Sequence, residues 1–232
     1  MKNINKLLNK NKIEQFLNIK INNKSIWLSA ITHKSWLFFN PDFKIPHNER
    51  LEFLGDAVLQ LITSLYLYVN FPYLGEGDLS LIRSKLVNRQ RLGEIAKKLK
   101  IEQFLLIGKN FDDKGLKTVL GDSLEAITGA IFLDLGFEKA KEFIEKNILN
   151  EAKEIVKNKK YKDPKTLLQE IFQRESKVLP EYKILEIQGP PHKRYFKVGL
   201  YLKNKKISEG EGTSKKEAEI NTALKALEKY LR

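Results

Sequence analysis

The spacing of apolar residues changes once along this chain, and that change demands two folding units of different class. Up to about residue 155 the apolar side chains recur at the three- and four-residue spacing of a helix, interrupted at Asn40-Pro41, Phe71-Pro72, Gly75 to Asp78 and Lys114-Gly115. Helices joined by short loops, with no convincing strand, predict an all-α domain over residues 1–155. Beyond Asp163-Pro164 the period becomes two. Phe196, Val198, Leu200 and Leu202 alternate with Tyr195, Lys197, Gly199, Tyr201 and Lys203, as in a half-buried strand. Tyr182 to Gln188 and Lys206 to Glu209 supply two more strands. A helix from Pro164 to about Arg174 precedes them. Another follows, with Ile220, Ala223, Leu224, Leu227, Tyr230 and Leu231 at helical spacing. Residues 163–232 therefore read as an α+β domain of order α-β-β-β-α, one helical layer on one sheet. Residues 156–162, rich in lysine, read as the linker.

Charge is divided as unevenly as periodicity. The 232 residues carry 42 Lys and Arg against 29 Asp and Glu, a net +13 that favours a polyanionic partner. Residues 1–160 hold 26 basic and 19 acidic side chains, residues 161–232 hold 16 and 10, so the shorter segment has nearly twice the charge density. Abundant Lys, Asn and Ile also follow from an AT-rich genome, so the excess alone does not establish nucleic-acid binding. A hydrophobic content of 42% with 31% charged residues is that of a globular chain. The absence of cysteine excludes a disulfide framework, a thiolate nucleophile and Cys-ligated zinc. His33, His47 and His192 are the only imidazoles, which argues against a three-histidine metal site. No apolar run has the length of a membrane span, and the basic stretch Met1 to Lys12 lacks a following apolar signal core. The expectation is a cytoplasmic protein with no membrane partner.

The acidic exceptions carry the chemistry. Asn48 stands as a natural N-cap before a long apolar-periodic helix in which Glu49, Glu52 and Asp56 lie within about 60° of one another. Leu51, Leu54, Val58, Leu61, Ile62 and Leu65 take nearly the opposite face, so their burial points the acids out of the core. Downstream, Asp122 and Glu125 share a face while Leu124, Ile127 and Ile131 fall on the buried side. Gly129, on the acid face, leaves room for another helix or a substrate backbone. Asp122-x-x-Glu125 also suits a helix N-terminal cap, and the first triad also suits a solvated face. Against the latter, three like charges share one face with no Lys or Arg four residues on to relieve them. Two such clusters in a basic protein suit Mg²⁺ or Mn²⁺, which can bridge carboxylates to phosphate oxygens.

These residues resemble a known family. Asn48 to Leu59, reading NERLEFLGDAVL, is similar to the signature of bacterial ribonuclease III, and Asp122 to Leu133, reading DSLEAITGAIFL, to that family's second catalytic helix. Thr32-His33-Lys34-Ser35 and Gly77-Asp78-Leu79-Ser80 resemble two further family segments, so the likeness spans nearly the whole chain. A di-iron bundle is set aside because its Glu-x-x-His pairs are missing. The resemblance implies that Glu52, Asp56, Asp122 and Glu125 hold catalytic Mg²⁺, with Mn²⁺ as substitute and with Asp56 and Glu125 most essential. It gives Glu49 and Glu76 secondary acidic roles, and Phe53 a place in the cavity of a second subunit of a homodimer. The implied reaction is hydrolysis of double-stranded RNA by cation-activated water, giving 5′-phosphate and 3′-hydroxyl ends with short 3′ overhangs, in ribosomal and messenger precursors. The alternatives are a non-catalytic duplex-RNA binder on the same scaffold and an RNA chaperone. The complete acids argue against both.

Residues from Asp163 onward resemble a double-stranded RNA-binding domain. By that likeness Gln169 and Glu170 reach one minor groove, the loop Gly189-Pro190-Pro191-His192 enters the next, and Lys215 and Lys216 meet phosphates across the intervening major groove. The helix N-terminus before the two lysines suits phosphate on its own account. Glu219 stands where many such domains carry a third lysine, an expected loss of phosphate grip offset by Lys193 and Arg194. Arg83 and Lys85 are further phosphate candidates.

Overall fold

A computed structural model describes residues 10–109, 111–159 and 161–230. The chain divides into two compact units, Met1–Tyr161 and Lys162–Arg232. The first is helical: α1 (Lys10–Leu17), α2 (Lys24–Ala30), α3 (Lys34–Phe39), α4 (Glu49–Asn70), α5 (Glu76–Leu86), α6 (Arg89–Lys98), α7 (Asp113–Leu135), α8 (Phe137–Asn147) and α9 (Ala152–Lys157), with a 3₁₀ turn at Ile101–Gln103. Of the residues expected in a linker, Val156 and Tyr161 pack into this unit's core.

The long helices α4 and α7 cross at the centre. Their approach is set by two glycines, one on each helix. A side chain on Gly55 would run into the backbone carbonyl of Glu125, and one on Gly129 into that of Leu51. The room left at Gly129 is thus taken by α4. Because α6, α2 and α8 also pack on α7, it is buried nearly all round from Val119 to Ile131. Its C-terminal end is tied to the segment that leads into α2. Asp134 accepts from the amides of Asn22 and Asn23 at 2.9 and 2.8 Å and from Trp27 Nε1 at 2.9 Å.

Three expectations for this unit are corrected. Leu61 and Leu65 are 59% and 40% exposed. The buried stripe of α4 runs instead through Leu51, Gly55, Val58, Leu59, Ile62, Thr63 and Leu67. The glycine contact rotates the helix toward α7, leaving Leu61, Leu65 and Tyr68 as a second, outward stripe. Lys114-Gly115 is no break but the first turn of α7, where the Asp112 side chain accepts from the Gly115 amide at 2.7 Å. Asn48 occupies the N-cap position of α4 in αR geometry, but its amide caps nothing and is buried without a partner. Its backbone carbonyl takes the Leu51 and Glu52 amides instead.

The second unit runs α10 (Pro164–Ser176), β1 (Glu181–Gln188), β2 (Tyr195–Leu202), β3 (Lys205–Gly212) and α11 (Lys215–Tyr230). Asp163 caps α10 through the amides of Lys165 and Thr166, with Pro164 at the first helical position. The sheet is antiparallel in the order β1-β2-β3. Leu200 of β2 meets Leu167, Leu168, Ile171, Phe172, Ala223, Ala226 and Leu227 in the core. On β3, side chains at Gly210 and Gly212 would collide with the backbone of Thr222 and Ala218, so their absence seats α11 close to the sheet. That close seating sets the buried face of α11 as Ala218, Thr222, Ala223, Ala226 and Leu227 and leaves the expected core residue Leu224 exposed. Leu231 lies outside the described residues.

Candidate active site and RNA-binding face

The α4–α7 crossing that brings Gly55 onto Glu125 also brings the acids of both helices to one place. Carboxylate oxygens of Glu52, Asp122 and Glu125 all lie within 4.8 Å of one another. Asp122 and Glu125 lie well inside α7, which excludes the N-terminal cap as their explanation. Glu125 is only 8% exposed, so the face expected to point out of the core is largely enclosed. Burial first, then the charges of Asp56, Asp122 and Glu52, push its carboxyl from 4.5 up to about 8. Burial likewise raises Glu52 and Asp122, while Arg89 pulls both back. Asp56 lines the same cleft but is not part of the three-way cluster, and its Oδ1 accepts from Gln60 Nε2 at 3.3 Å.

The unfolded chain ionises Glu125 near its ordinary 4.5, whereas the folded, cation-free protein holds the proton to about 8. Between those values the folded state binds more protons, so stability falls as pH rises through the window. Melting temperatures in EDTA between about pH 5 and pH 9 are expected to decline, and Glu125→Gln is expected to flatten the decline. A wild-type profile that rises toward alkaline pH would contradict this burial.

The cleft, of about 890 Å³, is lined by these acids and by His33, Lys34, Asn48, Glu49, Phe53 and Arg89. Glu49 sits at its rim, where Lys34 Nζ at 2.8 Å holds its carboxyl below the usual range. His33 Nδ1 accepts from the Ser35 amide at 3.2 Å and lies 2.7 Å from the Ser35 hydroxyl, and burial first, then the Lys34 charge, lower its pKa. Phe53 is 81% exposed. It borders both this cleft and an apolar groove lined by Ile26, Pro46, Leu51, Leu54 and Leu133. Glu76 is elsewhere. It accepts from Ser80 Oγ at 2.9 Å in a separate groove with Arg83, which donates to Ser64 Oγ at 2.8 Å.

Arg89 belongs to no motif of the sequence, yet it completes the cleft. Its Nε lies 2.8 Å from Asp122 Oδ1 and its Nη2 3.7 Å from Glu52 Oε1. One sign was legible: α6 opens on Arg89 and Arg91 with no acid in its first turn, the wrong charge for a helix N-terminus. Such residues need an acid from elsewhere, and Arg91 finds Glu151 at 2.6 Å.

On the second unit Gln169, Glu170, His192, Lys215 and Lys216 are all exposed. Glu170 is engaged by Lys162 at 2.7 Å. Ser214 Oγ accepts from the Glu217 amide, and Glu217 reaches back to the Thr213 amide, a reciprocal cap that fixes the helix start presenting the two lysines. Glu219 is not on the open face. It is 13% exposed, held by Lys165 at 2.5 Å and near Lys215 at 3.9 Å, and so joins α10 to α11.

A family model described as Ribonuclease-III-like matches residues 23–152, and the double-stranded RNA binding motif matches residues 164–230. The chain belongs to the ribonuclease III family. Ribonuclease 3 of Carboxydothermus hydrogenoformans is 45% identical over 219 residues, covering 93% of either chain. Ribonuclease 3 of Magnetococcus marinus is 39% identical over 224 residues, covering 94% of this chain and 91% of that one. The nuclease domain of Campylobacter jejuni ribonuclease III superposes with a TM-score of 0.50 at 43% identity, covering 62% of this chain and 98% of that one. As a ribonuclease III the chain is an endoribonuclease, and its second unit is a motif for double-stranded RNA. Among the described residues no helix is long and apolar enough to cross a membrane.

The acid cluster of this ribonuclease III fits a divalent cation on its own geometry. All its donors are hard oxygens, and burial raises all three carboxyls despite the nearby Arg89, so a divalent charge would offset a penalty that remains. Asp122 Oδ1 is buried with no hydrogen bond, since the Arg89 contact has the distance of one but not the alignment.

Proposed function

We propose that this protein hydrolyses phosphodiester bonds of double-stranded RNA with Mg²⁺ held by Glu52, Asp122, Glu125 and Asp56, with Mn²⁺ as substitute. The convergence of three carboxylates from two helices carries this reading. When bound, the cation supplies an activated water and neutralises charge on the scissile phosphate. The chain's part is to hold that site. The glycine crossing fixes Glu52 against Asp122 and Glu125, and burial keeps the carboxylates poor partners for solvent, so a cation gains by binding them. Glu49 and Glu76 serve in secondary roles. The products carry 5′ phosphates and 3′ hydroxyls with short 3′ overhangs, and the substrates are ribosomal and messenger precursors in the cytoplasm. End-group analysis of cleaved duplex tests this, and 3′ phosphates would overturn it.

Two copies act together in this proposal. Phe53 is a large exposed aromatic beside an apolar groove of matching chemistry, and a self-complementary pair of such features suits a two-fold dimer. A region involved in dimer formation is described for the Campylobacter jejuni nuclease domain. Sedimentation is expected to give a dimer, and Phe53→Ala to shift it toward monomer. A monomeric wild type at working concentration would remove the basis for cutting two strands together.

Gln169, Glu170, His192, Lys215 and Lys216 hold the duplex in this reading, and A-form geometry rewards a grip by shape. Changing both Lys215 and Lys216 to Ala is expected to weaken duplex binding and lower the slope of log K against log salt by about 2. An unchanged slope would take these lysines off the phosphates.

A further inference from the structure

We propose that Arg89 is the resident counter-cation of the acid cluster and competes with the divalent ion for it. This rests on the metal-site reading above and adds to it that the site is never empty of positive charge. The placement begins at Gly121. A side chain there would strike the Arg89 carbonyl and crowd its stem, so the bare glycine lets the start of α6 lie against α7. The guanidinium then reaches two of the three clustered carboxylates, Asp122 at 2.8 Å and Glu52 at 3.7 Å. Among the described residues no other cation lining the cleft does this, because Lys34 is held by Glu49 and His33 Nδ1 is turned to the Ser35 amide.

The contact is built to yield. Asp122 Oδ1 receives charge from Arg89 but no aligned hydrogen bond. The guanidinium stands in the first turn of α6 against the helix dipole, and its side chain is 58% exposed, so a way out to solvent lies open. A guanidinium is a permanent cation in proteins. A divalent ion on Asp122 and Glu52 must therefore push it aside, and part of the ion's binding energy is spent on the displacement.

The test titrates RNA-free full-length protein with Mn²⁺, reading free ion by its electron paramagnetic resonance signal, for wild type, Arg89→Gln and Arg89→Lys. Arg89→Gln is expected to bind Mn²⁺ more tightly by roughly fivefold, the worth of one partly exposed ion pair, while melting at lower temperature in EDTA. Arg89→Lys, which keeps the charge, stays close to wild type. A second reading needs no variant: phenylglyoxal labelling of Arg89, followed by mass spectrometry, is expected to rise when Mn²⁺ saturates the wild type. Equal or weaker Mn²⁺ binding by Arg89→Gln, or labelling that does not rise, overturns the competition and leaves the metal site standing. Absence of Mn²⁺ binding in every protein overturns both.

Discussion

Glu125→Gln is expected to lower duplex cleavage by about 10³-fold or more while leaving duplex binding nearly unchanged. Glutamine keeps the shape of the side chain but removes the charge that a cation needs. The residue lies in the most enclosed part of the cluster, with Asp56, Asp122 and Glu52 acting on it. Unfolding is not expected to explain the loss, because glutamine is buried without the proton that folded Glu125 must hold up to about pH 8, so the melting temperature in EDTA is expected to rise. Binding is expected to survive because the exposed residues proposed to hold the duplex, Gln169, Glu170, His192, Lys215 and Lys216, belong to the other unit. Single-turnover cleavage and gel-shift titration on one preparation separate the two effects. Robust Mg²⁺-dependent cutting by the variant would remove Glu125 from the chemistry.

Gly55→Val is expected to destabilise the first unit by at least about 3 kcal/mol. The obstacle is the backbone of Glu125, which cannot rotate away as a side chain would. Relief comes only by separating α4 from α7, and that separation also parts Glu52 from Asp122 and Glu125. Stability and cation binding are therefore lost together. The chain's two tryptophans, Trp27 and Trp36, both lie in the first unit, so urea unfolding followed by their fluorescence reads this unit alone. Gly77→Ala is the control. It sits in α5 with open space around it and is expected to be neutral or to stabilise by about 0.5–1 kcal/mol. Equal unfolding midpoints for Gly55→Val and wild type would mean that the close crossing does not hold the site.

The helical first unit and the α-β-β-β-α order were legible because each rests on local period and turn chemistry. So was the shared face of Asp122 and Glu125, which needs only the helical repeat. Burial was not legible. Periodicity ranks one face against another, but α7 is covered by several neighbours, and so Glu125 lies enclosed on what read as the outer face. Leu61 and Leu65 were misplaced for a related reason, since the rotation of α4 is decided by Gly55 and Gly129, a contact between residues distant in sequence. The same limit applies to Arg89, whose partners Asp122 and Glu52 lie on other helices. Glu219 read as a missing phosphate contact because sequence shows what replaces a lysine but not that Lys165 faces it across two helices.

The most direct measurement incubates the purified protein with a long RNA duplex, and separately with one of its strands, in Mg²⁺ and in EDTA. The duplex is expected to be cut in Mg²⁺ and intact in EDTA, with the single strand spared in both. Cutting in EDTA, or a duplex that is bound but stays whole in Mg²⁺, would contradict the cation-dependent active site proposed at the crossing of α4 and α7.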